Sequence, residues 1–369
     1  MNLTEFLAVH LQPSQLITDV MVLFLCIGAV DFLFGNRFGL GKAFTEGFEA
    51  FASLAVTMSG ILVLVPLIGE HLIPLLSPFC SLLKLDPSVF AGILLACDMG
   101  AYPLAVGIAG TPEAAGLCGM ILSSMMGVTI VFNIPVALGI LEKKDYPAFS
   151  KGILCGFITI PFGCLIGGMT AGYPLSLIGT TLVPVIVFSI LVCVCLLLIP
   201  NIITRVFLVF GKIISIIATV SCVAAIASAL LRTELIPGLG SVRDAMNDVV
   251  SIVLILPGAY VLVTVISHLL KKPFTHLGKL LGINENATLG LLTSIANCVP
   301  TFRLIRDMDE RGKIVNFAFL VSAGFLLGDH LAFCSAMDPV LIPPLLLGKL
   351  AGGISAALLA LLLTRQKTK

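Results

Sequence analysis

Two carboxylates lie deep inside apolar stretches of the chain. Asp98 lies in VFAGILLACDMGAYPLAVGIAG (89–110), and Asp329, followed by His330, lies in VNFAFLVSAGFLLGDHLAF (315–333), without another formally charged residue in either stretch. A carboxylate at bilayer depth costs at least about 2.5 kcal/mol on insertion scales, so such residues usually line a wet cavity or face a partner. We therefore predict that these two places bind the solute that the protein moves.

The chemistry open to these three residues differs. Asp98 is interpreted as the counter-ion of a cationic substrate or as a proton or Na⁺ site, and the alternative is a structural helix cap. Asp329 has the same interpretation. His330 either packs as a neutral side chain against a neighbouring helix or lines the cavity, where its titration could couple transport to protons.

Uncharged polar and aromatic residues extend the predicted substrate site. Asn297 and Asn133 can bind a substrate hydroxyl, although such residues often only hydrogen-bond across a helix interface. Tyr102, with Phe333, is a candidate to stack on an ammonium group, and the alternative is a lipid-facing or core aromatic. The predicted substrate-binding set is thus Asp98, Tyr102, Asn133, Asn297, Asp329 and His330.

The composition indicates that these residues belong to a membrane protein. Hydrophobic residues make up 58% of the 369, charged residues only 11%, and apolar runs of about twenty residues recur along the chain. The net charge of +1 gives no sign of a nucleic-acid partner. The eleven cysteines are scattered, mostly in apolar runs, and are interpreted as buried apolar residues rather than disulfides or metal ligands. The sequence predicts an all-α polytopic protein whose partner is the lipid bilayer, without a metal or cofactor.

Charges and turns divide the chain into eleven hydrophobic segments, two of which are unlike ordinary spans. The third, around Asp98, and the ninth, around Asn297, are short and broken by a polar residue close to Pro103 or Pro300. Irregular backbone at membrane depth is tolerated only beside protein or a cavity. The segments are 15–34, 48–76, 89–110, 114–141, 150–172, 177–200, 204–231, 247–270, 286–305, 312–336 and 339–364.

The two unusual segments also occupy matching places in an internal repeat. A shift of 198 residues lays 60–94 over 258–292 without a gap and gives ten identities in 35 positions. We predict a first transmembrane repeat at 1–172, a linking span at 173–203 and a second repeat at 204–369. Repeats with paired broken segments are typical of secondary transporters, whose site lies near the midplane.

The basic residues favour a topology in which the third and ninth segments dip in and return. If all eleven segments cross, the basic residues outside apolar runs divide almost evenly. With nine crossings and two re-entrant segments, sixteen lie on one side and only Lys84, Arg232 and Arg243 on the other. Basic residues collect in the cytoplasm, so the N-terminus is predicted outside, the C-terminus inside, and the repeats inverted.

Glycine pairs indicate close helix packing near the end of each repeat. GCLIG (163–167) and GKLAG (348–352) have the GxxxG spacing that lets two helix backbones approach. Packing within one chain and packing between protomers of a homo-oligomer are both compatible with this pattern.

Several long blocks resemble one transporter family. FAGILLACDMGAYPLA, GVTIVFNIPVALGI, MDERGKIVNFAFLVSAGFLLGDHLAF and LLGKLAGG are similar to the hallmark blocks of the ethanolamine permeases of bacterial ethanolamine-utilisation operons. The resemblance covers nearly the full length. It implies uptake of ethanolamine across the bacterial inner membrane to supply a cytoplasmic ammonia lyase.

The residues agree with that substrate type, because ethanolamine is a small ammonium with one hydroxyl. We expect the protein to matter most at low pH or scarce ethanolamine, where the neutral, lipid-permeant amine is rare. The alternative is a secondary transporter or channel for another small cationic or polar solute, and coupling to H⁺, to Na⁺ or to neither stays open. No pairing typical of an intramembrane aspartyl or serine protease is found, so an enzyme is not expected.

Overall fold

In the computed structural model, which describes residues 13–364, every regular element is a helix. In this range, sixteen helices of at least seven residues are connected by turns and by four 3₁₀ helices of three residues each. They are α1 (Pro13–Leu33), α2 (Leu40–Leu62), α3 (Val65–Leu83), α4 (Ser88–Leu94), α5 (Ala101–Ile108), α6 (Pro112–Ile140), α7 (Tyr146–Thr170), α8 (Leu175–Leu198), α9 (Pro200–Leu231), α10 (Val242–Val253), α11 (Leu256–Leu281), α12 (Glu285–Ala296), α13 (Cys298–Leu304), α14 (Glu310–Ala323), α15 (Asp329–Met337) and α16 (Ile342–Leu363).

Seven helical stretches of the described chain are long and apolar enough to cross a membrane, so the protein is a multi-pass membrane protein. Of these, α6 is almost wholly enclosed by protein, whereas α9 is mostly exposed. The exposed side of α8 and α9 carries large aliphatic residues such as Val187 and Ile216, which suits contact with lipid. The seven stretches are Leu40–His71, Pro112–Ile140, Lys143–Thr170, Leu175–Leu198, Pro200–Leu231, Val242–Leu269 and Pro339–Leu363.

The third and ninth segments are hairpins whose two ends meet. The backbone N–H of Gly110, after α5, donates a 2.9 Å hydrogen bond to the Oδ2 atom of Asp86, before α4. In the ninth segment, the N–H of Asn284 donates a 2.8 Å hydrogen bond to the Oδ1 atom of Asp309. A segment with joined ends returns to the side from which it left, which is the geometry of a re-entrant segment.

Each hairpin is broken where the sequence analysis expects irregular backbone. Between α4 and α5, Leu95 is extended, Cys97–Met99 forms a 3₁₀ turn, and Gly100 has a φ of 96°, a left-handed conformation that favours glycine. Pro103 lies in the first turn of α5, where its missing donor costs no helical hydrogen bond. Between α12 and α13, Asn297 is extended.

The segment expected at 312–336 is not one continuous helix, and this expectation needs correction. It divides into α14 and α15 with an irregular stretch at 324–328. The N–H groups of Phe325 and Leu327 donate to the carbonyls of Ser294 and Ile295, at the break of the second hairpin. The freed backbone donors are therefore satisfied by another hairpin rather than by their own helix. The expected segment at 48–76 is likewise divided, between α2 and α3.

The element order also repeats along the chain. The first hairpin helix begins at Ser88 and its counterpart at Glu285, 197 residues later, while α6 and α14 begin 198 residues apart, at Pro112 and Glu310. The proposed division at residues 172 and 203 stays a prediction.

Glycines join α7 to α16 within one chain. A Cβ atom at Gly163 would lie 2.8 Å from the carbonyl oxygen of Gly348, and one at Gly348 would lie 2.9 Å from that of Gly163. The two GxxxG patterns therefore serve packing inside the protein, which brings α16 against the centre of the molecule.

Candidate functional site

The break in the first hairpin and the break at 324–328 bring the predicted charged residues together. Asp98 lies in the 3₁₀ turn of the first hairpin, and Asp329 and His330 begin α15. The Nε2 atom of His330 lies 3.8 Å from the Oδ1 atom of Asp98. Thus residues separated by more than 200 positions in sequence form one site.

A lysine that the sequence analysis left aside completes this site. Lys349 of α16 is fully buried, and its Nζ atom donates a 2.6 Å hydrogen bond to the carbonyl of Ser124 on α6. The same Nζ lies 3.0 Å from the Nδ1 atom of His330. The sequence did contain a sign of this role, since a lysine within an apolar membrane segment needs polar partners inside the protein. We call Asp98, Asp329, His330 and Lys349 the central site.

The carbonyl that accepts from Lys349 belongs to an unusual stretch of α6. Gly116–Gly127 and Thr129–Asn133 are π-helical, and such turns often occur at functional sites. Glycines let the first hairpin lie directly on this stretch: a Cβ atom at Gly127 would overlap the carbonyl oxygen of Leu95. The break beside Asp98 is therefore held against the helix that supports Lys349.

As an ammonium group, Lys349 selects one tautomer of His330. An ammonium group has donors only, so the Nδ1 atom facing it accepts, and the proton of a neutral imidazole is on Nε2. This N–H faces Asp98. The ring of Phe325 packs against the imidazole with a centroid distance of 5.4 Å and restricts its orientation.

Two polar atoms of the central site have no hydrogen-bond partner in the described part of the chain. They are the Oδ1 atom of Asp98 and the Nε2 atom of His330, and both are buried. Their 3.8 Å separation is too long for a direct hydrogen bond. Buried polar groups without partners are costly, so a ligand that offered one donor and one acceptor side by side would stabilise this pair.

The second carboxylate has its own hydroxyl partner. The hydroxyl of Tyr260 on α11 donates a 2.6 Å hydrogen bond to the Oδ1 atom of Asp329. Asp329 also lies within electrostatic range of Asp98. Tyr260 could not be predicted from the sequence, because a tyrosine in an apolar helix gives no local sign of its partner.

Tyr102 belongs to a second tyrosine–aspartate pair at the other end of α15. Its hydroxyl donates a 3.0 Å hydrogen bond to the Oδ2 atom of Asp338, which the sequence analysis also missed. Its ring meets that of Phe333 edge to face, with the ring centroids 6.3 Å apart. Tyr102 and Phe333 are thus neighbours, as their shared interpretation requires.

The two asparagines have different surroundings. The Oδ1 atom of Asn297 accepts the N–H of Val299 at 2.9 Å and caps α13, a structural role different from the hydrogen bond across a helix interface that was weighed for it. Asn133 is fully buried in α6, and neither side-chain polar atom has a partner among the described residues. Their binding of substrate stays a prediction.

Two residues of the central site and the neighbouring Cys97 form a set of potential metal-ligand atoms. One atom each from Cys97, Asp98 and His330 lies within 4.8 Å of the other two. When the ammonium of Lys349 donates to Nδ1, the imidazole proton is on Nε2, and in that state the nitrogen that faces Asp98 has no lone pair for a metal. The arrangement instead suits a small donor and acceptor.

One protein family matches this chain over nearly its whole length. The family model described as "Ethanolamine utilisation protein, EutH" matches residues 14–363. A "Probable ethanolamine permease EutH" of Listeria monocytogenes is 44% identical over 96% of this chain and 95% of its own length. The "Uncharacterized protein YxeR" of Bacillus subtilis is 41% identical, and a "Probable ethanolamine permease EutH" of Salmonella typhimurium is 39% identical, each over 95% of both chains. No solved structure matches the chain significantly.

Proposed function

Because this chain belongs to the EutH family of ethanolamine utilisation proteins, we propose that it carries protonated ethanolamine across the bacterial inner membrane into the cytoplasm. The observation that supports this most directly is the facing pair of unpartnered atoms on Asp98 and His330. The transported ethanolamine then supplies a cytoplasmic ammonia lyase with carbon and nitrogen.

Ethanolamine fits this pair because its two polar groups are separated by only two carbons. In the folded form of the molecule, the ammonium and the hydroxyl lie side by side. The ammonium donates to the Oδ1 atom of Asp98, while the hydroxyl oxygen accepts the Nε2–H of His330. Both unpartnered atoms are then satisfied by one small cation.

The two tyrosine–aspartate pairs flank this position along α15. Asp329 with Tyr260 lies at the first residue of the helix, and Asp338 with Tyr102 lies just after its last residue. A carboxylate at each end attracts an ammonium, and the rings of Tyr102 and Phe333 offer π faces. We propose that ethanolamine passes between these pairs and stops at Asp98.

The charge state of ethanolamine defines when the protein is needed. The neutral amine crosses lipid unaided, but the protonated form does not, because an ion is costly to bring into hydrocarbon. Acid shifts the amine to its protonated form. Carriage is therefore most important at low pH or at low ethanolamine concentration.

The proposed role is transport rather than catalysis, and its energy source is a separate question. A carboxylate such as Asp98 can bind substrate, a proton or Na⁺ with the same atoms. Coupling to H⁺ or Na⁺ therefore predicts that uptake depends on the gradient of that ion. Passive uniport followed by metabolic trapping predicts that uptake does not.

The test is uptake of labelled ethanolamine at acidic pH into proteoliposomes that contain the protein, compared with empty liposomes. Saturable uptake with counterflow supports a carrier, and stimulation by a pH or Na⁺ gradient identifies the coupling ion. Uptake equal to that of empty liposomes would exclude ethanolamine as a substrate of the isolated protein.

A further inference from the structure

Lys349 is a cation placed inside a cation-binding site. Its side chain is fully buried on the apolar helix α16, and no carboxylate oxygen of the described residues forms an ion pair with it. Its hydrogen-bond acceptors are the neutral carbonyl of Ser124 and the imidazole of His330. Negative charges therefore balance the charge of Lys349 only from beyond ion-pair distance.

The opposing charges are the two carboxylates of the central site. Asp98 lies on the far side of the His330 ring from Lys349, and it interacts electrostatically with both Lys349 and Asp329. With His330 neutral, and with the bound ammonium of the substrate favouring the ionised forms of Asp98 and Asp329, the two carboxylates and the ammonium of Lys349 leave a single negative charge to be balanced. One monovalent cation balances this charge.

We infer that Lys349 is a resident ammonium that fixes the net charge of the central site, so that the site accepts a monocation and rejects a dication of the same size. This inference rests on the proposed function, because it names which ammonium compounds the same site takes. Lys349 is a specificity-determining residue that acts through charge and through the orientation of His330.

The effect of Lys349 on charge and its effect on the orientation of His330 both follow from the position of the His330 ring between Lys349 and Asp98. A second ammonium group on the substrate would have to face the Nε2–H of His330, which is a donor, and behind it the ammonium of Lys349. A hydroxyl at that position accepts the Nε2–H instead. The site therefore discriminates between a hydroxyl and an ammonium on the same two-carbon frame.

Ethanolamine and ethylenediamine form the matched pair of probes. At an acidic pH that protonates both amines of ethylenediamine, the two molecules have similar size and differ by one charge. Each is used to compete with labelled ethanolamine for uptake into proteoliposomes. We expect wild type to be inhibited by ethylenediamine at least about tenfold more weakly than by unlabelled ethanolamine, since one unit of charge is unbalanced.

Variants of Lys349 separate charge from packing. In Lys349→Met the site loses its resident cation, and the preference for ethanolamine over ethylenediamine falls at least about tenfold. Lys349→Arg retains the charge and keeps a preference for the monocation. Lys212→Met is the matched control, because Lys212 also lies in an apolar helix, α9, but is exposed on its surface. It leaves the preference unchanged.

Two outcomes overturn the inference. One is equal inhibition of wild type by both compounds, a result that needs no variant and holds even if Lys349→Met fails to fold. The other is an unchanged preference in a folded Lys349→Met protein. Wild type that shows no ethanolamine uptake at all instead contradicts the proposed function, so the two failures are distinguishable.

Discussion

The Nε2 atom of His330 and the Oδ1 atom of Asp98 face each other across 3.8 Å, and neither has a hydrogen-bond partner within residues 13–364. The Asp98 atom belongs to the first hairpin, and the His330 atom belongs to the helix that follows the break at 324–328. Their relationship depends on Lys349, which holds the imidazole from its other nitrogen. This arrangement leads to the following expectations.

Asp98→Asn removes the carboxylate that would receive the ammonium group. We expect ethanolamine uptake to fall about 10- to 100-fold, because a hydrogen bond to a charged group contributes about 1.5–3 kcal/mol. Glu70→Gln, which removes an exposed carboxylate on α3, is the control and retains uptake. Full activity in Asp98→Asn would move the ammonium site to Asp329 and leave Asp98 as a cap.

His330→Phe removes the donor that would bind the substrate hydroxyl but retains a ring next to Phe325. Wild type is expected to prefer ethanolamine over ethylamine about tenfold or more, since ethylamine leaves the Nε2–H unpaired. In His330→Phe this preference should approach unity. The preference is measured by competition of each unlabelled amine with labelled ethanolamine for uptake. An undiminished preference in His330→Phe would show that the substrate hydroxyl binds elsewhere.

Tyr102 combines a hydroxyl that binds Asp338 with a ring that packs on Phe333. Tyr102→Phe loses only the hydrogen bond, at a cost of about 1 kcal/mol, so transport should change less than about tenfold. Tyr102→Leu also loses the aromatic face and should lower ethanolamine affinity further. Equal uptake kinetics of the two variants would show that the ring does not contact the substrate.

Gly163 allows α7 to lie directly against α16, which positions Lys349. Gly163→Val forces the two backbones apart and should destabilise the protein by about 1–3 kcal/mol, as overpacking does. Gly179→Val on α8 is the matched control, since nothing lies within 4 Å of a Cβ at Gly179. Thermal unfolding in detergent compares the stability of the two variants. Equal losses of stability would exclude close packing as the reason for glycine at position 163.

Loss of the protein should impair growth on ethanolamine more strongly at acidic than at alkaline pH. The sign follows from the substrate, because acid converts the permeant amine to the cation that needs a carrier. Growth rates of a deletion strain at limiting ethanolamine test this expectation. A defect of the same size at both pH values contradicts it, and added excess ethanolamine should restore alkaline growth first.

Much of the site could be predicted from local sequence because membrane burial makes each charge expensive. That argument alone selected Asp98, Asp329 and His330, and the prolines and glycines near Asp98 and Asn297 indicated broken helices. The break at 324–328 could not be read in this way. GFLLG is apolar, and its free backbone N–H groups are satisfied by carbonyls of Ser294 and Ile295 in a distant hairpin.

The sequence by itself determined the membrane class, the two broken segments and the carboxylates that lie within apolar stretches, since these depend on the cost of polarity and charge within short stretches of chain. Only the tertiary structure decided which groups pair. Lys349 contacts His330 on the preceding helix and Ser124, 225 positions earlier, and Tyr260 contacts Asp329, 69 positions later, through hydrogen bonds between different helices. Such bonds depend on how the helices pack, which no local pattern specifies.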